Sequence, residues 1–260
     1  MRLPVALIAF CGAIVLAALC SSASPLGVAA SAAERAAACP TRSQAAALPR
    51  RPGGGLLRGD IYGDGYSDTV SIRYALGAPS SCGFLLVAET RRGARSVRVP
   101  ESYKAEDLSV NQWPWREPFV AAIVRLGVRG SQIVVAREEG ASVVDVSLYG
   151  IVDGKLRLLR FQPAVYQSEL SLFGTVGTGS TNVRCLRGGA LIVLSVSPTT
   201  ATGKRFEFSR STYRLGRHGF TRTGTRTVVG TDAYISALAQ RSGFNRLPFT
   251  GCTVARGQRL

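Results

Sequence analysis

The sequence predicts an all-β fold, mostly antiparallel, arranged as three propeller-like β units or as a β-sandwich, with one short C-terminal helix. Apolar and β-branched residues with a period of two fill four short runs between turn residues, at 69–74, 131–136, 142–151 and 190–197. Hairpin signals at 152–156 and 216–220 separate further strand-like runs. A single segment, 231–243, has the pattern of a helix, with a polar N-cap and a closing glycine.

The N-terminal segment has the layout of a secretory signal peptide. No charged residue occurs between residues 3 and 33, and the apolar stretch ends in small residues that suit cleavage near Ala32. We therefore expect residues 1–32 to be a signal peptide, the chain to be secreted or extracellular, and no stable membrane span to remain after cleavage. An uncleaved membrane anchor is the alternative, because the apolar stretch reaches about 20 residues, the length of a span.

The remaining chain divides into a linker at 33–55 and a β domain at 56–260. The linker is poor in large apolar side chains and ends in a glycine run. The β domain contains a weak repeat: a shift of 64 residues pairs Asp68 with Gln132 and Val70 with Val134. We expect three degenerate units, near 56–117, 118–172 and 173–260.

Four cysteines, Cys39, Cys82, Cys185 and Cys252, follow the signal segment. An even number of cysteines in an exported chain predicts disulfides, and four cysteines allow three connectivities. Proximity in sequence favours Cys39–Cys82 and Cys185–Cys252. The absence of a Cys-x-x-Cys pair gives no indication of a zinc site or a redox dithiol.

The chain is strongly basic, with 32 Lys and Arg residues, 16 Asp and Glu residues and a formal net charge of +16. Nearly all the basic residues are arginines, and they are dispersed along the chain. Dispersed charge on an exported chain argues against nucleic-acid binding. It favours loose attraction to anionic polymers, so a cell-envelope polymer or another secreted protein is the expected partner.

The segment 59–68, GDIYGDGYSD, has the spacing of a short calcium loop. Calcium binds six to eight hard oxygen atoms, which acidic loops supply from alternate positions around a glycine turn. Asp60, Asp64 and Asp68 would occupy the first, fifth and ninth positions, and Tyr66 would offer its carbonyl oxygen at the seventh. Tyr62 places a neutral phenol at the third position. The alternative is a turn in which the Asp side chains accept backbone N–H bonds.

The stretch GDIYGDGYSDTVSIR resembles the Asp-x-Asn-x-Asp-Gly-x-x-Asp loop of FG-GAP or VCBS repeats, the integrin-type propeller blades. In particular, it is similar to secreted actinobacterial proteins that carry this repeat. The resemblance implies a blade-like fold and a structural Ca²⁺ held by Asp60, Asp64, Asp68 and the carbonyl of Tyr66. It implies no enzymatic activity. The departure at Tyr62 predicts weak binding.

A tryptophan segment is the best candidate for a recognition site that needs no metal. Trp113 and Trp115 flank a proline, so in extended backbone both rings could face one side, and Arg116 beside them could pair with an anion. Such a pair could stack on a sugar or contact a protein. The alternative is that the rings cover the end of the β core.

Little in the sequence indicates catalysis. His218 is the only histidine, it lies in a glycine-flanked turn, and no Gly-x-Ser-x-Gly motif precedes it. A glycosidase-like hydrolase would need two facing carboxylates, for which Glu138, Glu139 and Asp145 are the best candidates. We therefore expect a non-catalytic secreted or cell-envelope module. The alternatives are a carboxylate-dependent hydrolase and, if the signal is uncleaved, a membrane-tethered assembly component.

Overall fold

The computed structural model describes residues 39–75, 78, 82–99, 118–127, 130–138, 144–163, 170–172, 180–186, 189–199 and 204–257, all within one compact unit, Ala36–Leu260. The predicted signal peptide and the tryptophan segment, with Trp113, Trp115 and Arg116, lie outside the described residues. In the described part of the chain, no helix combines the length and the apolar character needed to cross a membrane.

The described chain consists mainly of strands, which confirms the all-β class. The first strands are β1 (Leu56–Gly59), β2 (Asp68–Tyr74), β3 (Phe84–Thr90), β4 (Gly93–Arg98), β5 (Phe119–Val124), β6 (Gln132–Glu138), β7 (Val144–Val152) and β8 (Lys155–Leu158). They are followed by β9 (Arg160–Gln162), β10 (Leu170–Leu172), β11 (Ser180–Leu186), β12 (Ala190–Pro198), β13 (Phe206–Leu215), β14 (Gly219–Gly230) and β15 (Thr253–Arg256). The helices are α1 (Arg42–Ala47) and α2 (Asp232–Arg241).

The strands form three sheets, each built on a meander of four consecutive antiparallel strands. Sheet 1 contains β1 to β4. Sheet 2 contains β5 to β8 and gains β10 and β15, whereas sheet 3 contains β11 to β14 and gains β9, which runs parallel to β14. Each meander lies within one of the predicted units. The added strands β9 and β15 come from segments outside the meander that they join, so they tie sheets 2 and 3 together.

Sheet 2 lies between the other two sheets and is buried on both faces. Ile133 and Val135 of β6 belong to an apolar cluster shared with sheet 1, whereas Val134 and Ala136 belong to a cluster shared with sheet 3. Successive side chains of a strand point to opposite faces, so a strand covered on both sides needs apolar residues at every position. This explains the uninterrupted apolar sequence of β5 and β6.

The two helices cover outer faces of the sheets. Ala45 of α1 packs with Leu85 and Val87 of sheet 1, and Ile235 of α2 packs with Phe208 of sheet 3. The predicted C-terminal helix is therefore present, and Thr231 is its N-cap. Covering the outer faces removes apolar surface from water at both ends of the series of sheets.

Residues 39–55, assigned to a linker from the sequence, carry α1 and pack against sheet 1. The helix begins after Thr41, whose side chain forms a capping box with Gln44. Arg51 is buried, and its backbone N–H bonds to the carbonyl of Ile72 on β2 at 3.0 Å. The segment is short of large apolar residues, but the disulfide at Cys39 and these backbone contacts hold it to the sheet.

Two disulfides join Cys39 to Cys82 and Cys185 to Cys252, with Cα atoms 5.7 Å and 5.6 Å apart. This is the pairing that the sequence favours. The first bond fastens the segment before α1 to the connection between β2 and β3, and the second fastens β11 to the residues before β15. Structural disulfides are typical of proteins that fold in an oxidising compartment.

Candidate functional site

The aspartate loop, residues 59–68, connects β1 to β2 and is closed by the side chain of Asp60. Oδ1 of Asp60 accepts hydrogen bonds from the backbone N–H groups of Gly63 and Asp64, at 2.7 and 3.0 Å. Oδ2 accepts one from Gly65 at 3.0 Å. Gly63 and Gly65 have φ values of 81° and 84°, which glycine adopts without strain. One carboxylate thus satisfies three backbone donors of a tight turn.

Asp68, the first residue of β2, is only 1% exposed. Its Oδ2 atom accepts hydrogen bonds from the N–H groups of Ile61 and Tyr62, at 2.9 and 2.8 Å, whereas its Oδ1 atom has no hydrogen-bond partner among the described residues. Burial raises the pKa of the Asp68 carboxyl above its ordinary value. The two N–H groups oppose this shift, and the charges of Asp64 and Asp60 add to it. The unpartnered oxygen makes the ionised form of Asp68 unfavourable in the loop.

Two arginines approach the loop and compensate part of its negative charge. Nε of Arg92, in the turn between β3 and β4, lies 3.7 Å from Oδ2 of Asp64. Nη2 of Arg125, just after β5, lies 3.8 Å from Oδ2 of Asp60. Both arginine side chains are more than half exposed, at 59% and 57%, so water screens these pairs and each contributes little to stability.

Guanidinium groups also cover the two tyrosines of the loop. The guanidinium of Arg92 lies 4.6 Å from the ring centre of Tyr62, and that of Arg91 lies 4.3 Å from the ring centre of Tyr66. These are cation–π distances. Tyr62, at the third position of the loop, therefore contacts an arginine where a calcium loop has an oxygen ligand.

The aspartate loop fits a calcium ion only in part. The unpartnered Oδ1 of Asp68 is a hard oxygen donor of the kind that calcium prefers. Both oxygens of Asp60, however, accept backbone hydrogen bonds. Within the described residues, no group of three or more His, Cys, Asp or Glu side chains is placed to hold a metal. The contacts of Asp60 and Asp68 are those of the hydrogen-bonded turn, the alternative drawn from the sequence.

The loop is in direct backbone contact with sheet 2. The carbonyl of Asp60 accepts a hydrogen bond from the N–H of Ser131 at 2.7 Å. Gly130 has a φ of 80°, and a Cβ atom at this position would overlap the carbonyl oxygen of Ile61. Only glycine permits this approach, so the loop acts as a joint between sheets 1 and 2.

The corresponding connection in sheet 2, residues 125–132, is here named the glutamine turn. Gln132 is the first residue of β6 and is 4% exposed. Its Oε1 atom accepts a hydrogen bond from the N–H of Leu126 at 2.9 Å, and its Nε2 atom donates one to the carbonyl of Gly130 at 3.0 Å. The sequence repeat pairs Gln132 with Asp68, and each side chain bonds the backbone of the turn that precedes its own strand.

A cleft of about 1240 Å³ lies beside the aspartate loop. Its walls come from turns of all three sheets: Tyr62 and Gly63 of the aspartate loop, 125–127 of the glutamine turn, 150–154 at the β7–β8 turn, and 214–217 at the β13–β14 turn. These segments are far apart in the sequence. The cleft therefore depends on how the three sheets pack.

The β7–β8 turn in the cleft wall is tied to both neighbouring sheets. Its central residues, Asp153 and Gly154, have φ values of 50° and 71°, as the Asp-Gly hairpin signal predicts. Nη2 of Arg217 in sheet 3 donates a hydrogen bond to Oδ1 of Asp153 at 3.0 Å, and this contact holds the pKa of the Asp153 carboxyl below its ordinary value. Arg95 of β4 donates one to the carbonyl of Gly154 at 2.8 Å.

The candidates for catalysis do not come together. His218 is exposed in the β13–β14 turn, and Asp145 is buried in β7, where its Cα partner is Arg137 of β6. Glu138 ends β6, and Glu139 lies outside the described residues. None of these residues lines the cleft, as far as the described residues define it.

The sequence analysis missed the cleft and the arginines at the aspartate loop. Arg92 and Arg125 belong to a chain with 32 basic residues and carry no local signature. Only the packing of the β3–β4 turn and of the end of β5 against the loop distinguishes them.

No family model matches the chain, and no curated protein and no solved structure is significantly similar to it. The likeness to FG-GAP or VCBS repeats therefore depends on the motif at residues 59–70 and stays an expectation.

Proposed function

We propose that the protein is a non-catalytic, secreted or cell-envelope β-repeat module that binds its partner in the cleft between the three sheets. The observation that carries the proposal is the cleft itself, which is walled by turns from all three sheets. Ligand sites are typically concave and largely preformed, and the ties between Arg95, Asp153 and Arg217 fix the turns that form this one.

The location of the protein outside the cytoplasm is part of the proposal. It is supported by the charge-free apolar stretch at residues 3–33, which suits a signal peptide, and by the two disulfides. The partner in this setting is an envelope polymer or another secreted protein.

A weak structural calcium ion at the aspartate loop is the second part of the proposal. Asp60, Asp64, Asp68 and the carbonyl of Tyr66 would hold it, as the resemblance implies. The unpartnered Oδ1 of the buried Asp68 supports a cation there, and the nearby Arg92 and Arg125 account for weak affinity, since like charges disfavour a bound cation. The ion would stabilise the joint between sheets 1 and 2 and take no part in chemistry.

A side chain that fills the cleft tests the binding role. A Cβ atom at Gly127 meets no atom within 4 Å, and Gly127 lines the cleft, so Gly127→Trp should occupy the cleft without disturbing the fold. Gly224 on β14 offers equally open space and does not line the cleft, which makes Gly224→Trp the matched control. We expect Gly127→Trp alone to abolish binding of the purified protein to isolated cell-envelope material. Equal binding by both variants, or no binding by the wild type, would contradict the proposal.

A further inference from the structure

The cleft wall carries an excess of positive charge. Its lining includes the side chains of Arg125, Arg214 and Arg217 and the carboxylate of a single acid, Asp153. Asp153 already accepts a hydrogen bond from Arg217. The low pKa that this contact gives Asp153 keeps the pair charged and mutually compensated. Two positive charges, on Arg125 and Arg214, remain inside the lining itself.

The guanidinium groups are accessible to a ligand. The side chains of Arg125 and Arg217 are 57% and 66% exposed, and Arg214 is exposed with no described acidic side chain at ion-pairing distance. A guanidinium presents a planar set of donors that matches a carboxylate or a phosphate in a bidentate manner. Since the contacts of Arg125 and Arg217 are exposed pairs, an anionic ligand can compete for their free donors.

The remaining lining favours an extended ligand over a small anion. Apolar side chains such as Leu126, Leu159 and Leu215 lie among the arginines, together with several glycines. The volume of about 1240 Å³ exceeds the range of about 300–1,000 Å³ that is usual for small-molecule sites. Apolar surface between separated cations suits a chain that alternates C–H surface with anionic groups, as the sugar rings of an acidic polysaccharide do.

On these grounds we propose that the cleft binds a segment of an acidic polysaccharide, with Arg125, Arg214 and Arg217 pairing with its carboxylate or phosphate groups. This inference rests on the proposed binding role and adds the chemical class of the partner. The dispersed arginines elsewhere on the surface attract any polyanion loosely. The cleft differs from that general attraction because it combines cations, apolar surface and a fixed shape.

The test measures binding of the purified protein to three soluble polymers by titration calorimetry at low and at physiological salt. Polygalacturonate carries carboxylates, poly(ribitol phosphate) carries phosphates, and dextran carries no charge. We expect one or both of the acidic polymers to bind, the stronger of them identifying the anionic group, and dextran not to bind. Dextran binding as tightly as the acidic polymers would overturn the inference, and so would tighter binding of polyglutamate, an anionic chain without sugar rings.

A pair of charge variants separates the cleft from nonspecific attraction. Arg214→Gln removes a cleft cation, whereas Arg210→Gln removes an exposed arginine of the same strand that does not line the cleft. We expect Arg214→Gln to weaken binding about threefold to tenfold, as for the loss of a charge-assisted hydrogen bond, and Arg210→Gln to change it less than about twofold. Equal losses would assign the binding to net charge and overturn the inference.

The two proposals fail in different ways. If Gly127→Trp abolishes binding to envelope material while Arg214→Gln has no effect, the binding role holds and the acidic partner is wrong. If the wild type binds no envelope material, the proposed function itself fails.

Discussion

The aspartate loop of sheet 1 and the glutamine turn of sheet 2 solve one structural problem in two ways. In each, the first residue of the following strand uses its side chain to bond the backbone of the turn: Asp68 in β2 and Gln132 in β6. Gln132 supplies an acceptor and a donor, and both of its polar atoms are hydrogen-bonded. Asp68 supplies only acceptors, and one of its oxygens is left without a partner.

The difference shows what a charged solution requires. An amide satisfies the turn and leaves no charge in a buried position. The aspartate loop contains three carboxylates within nine residues, Asp60, Asp64 and Asp68, and it therefore depends on Arg92, Arg125 or a cation for compensation. The glutamine turn is the self-sufficient version, and the aspartate loop is the version that can respond to pH or to an ion.

The joint between the two turns should be the most sensitive point. Gly130→Ala adds a Cβ atom that overlaps the carbonyl of Ile61, at a φ of 80°. We expect a loss of about 2–4 kcal/mol in the free energy of unfolding, measured by urea denaturation. Gly127→Ala is the control, because its Cβ atom meets open space. A loss below about 0.5 kcal/mol for Gly130→Ala would show that the two turns do not pack in this way.

Truncation of the two capping side chains should rank next. Asp68→Ala leaves the N–H groups of Ile61 and Tyr62 without their acceptor, and we expect a loss of about 2–3 kcal/mol. Gln132→Ala removes two neutral hydrogen bonds, for an expected loss of about 1–2 kcal/mol.

Denaturation in chelator measures both variants, and Asp68→Asn, which keeps an acceptor, should lose less than Asp68→Ala. If Asp68→Ala were no less stable than Gln132→Ala, the charged acceptor would have no special role.

Calcium should stabilise the aspartate loop and not the glutamine turn. For a dissociation constant of about 10⁻⁴ to 10⁻³ M, calcium at about 2 mM gives about 1–2 kcal/mol, or a rise of about 2–4 °C in Tm. We expect Asp64→Asn to lower Tm in calcium but not in chelator, because Asn keeps an acceptor for the N–H of Tyr66. An equal loss in both conditions would leave only the hydrogen-bonded turn.

The smallest expected effect is the pH dependence of Asp68 in the absence of calcium. Its folded pKa is raised by burial above the ordinary value of 3.8, so its contribution to stability is complete below that value and is lost as the pH rises through the folded pKa. Between about pH 4 and pH 7, the wild type should therefore lose stability relative to Asp68→Asn. Chemical denaturation in chelator across this range measures the difference, and a constant difference would contradict the raised pKa.

Several parts of the fold could be predicted because their causes are local. The period of two in β6 and β12, the Asp-Gly turn at Asp153 and the cap at Thr231 each depend on residues close together in the sequence. The repeat that pairs Asp68 with Gln132 was visible for the same reason. Helix α1 was missed although Thr41 and Gln44 form a capping box, because six residues with one buried side chain give no apolar periodicity.

The candidate site could be predicted only in part. The spacing of Asp60, Asp64 and Asp68 identified the aspartate loop, but the spacing of acids does not show whether their oxygens face a cation or the backbone. That depends on the turn geometry at Gly63 and Gly65 and on the approach of Arg92 and Arg125. The tryptophan segment, with Trp113 and Trp115, lies outside the described residues, and its role stays a prediction.

By itself, the sequence determined the β class, the turns, the α2 cap and the pairing of the cysteines, because each follows from residue patterns or from closure of the shorter loops. The tertiary structure decided the placement of sheet 2 between its neighbours, the burial of Asp68 and the cleft with Arg125, Arg214 and Arg217. These features join segments that are distant in the chain. Their energies come from packing and from charge at close range, which no local pattern of residues specifies.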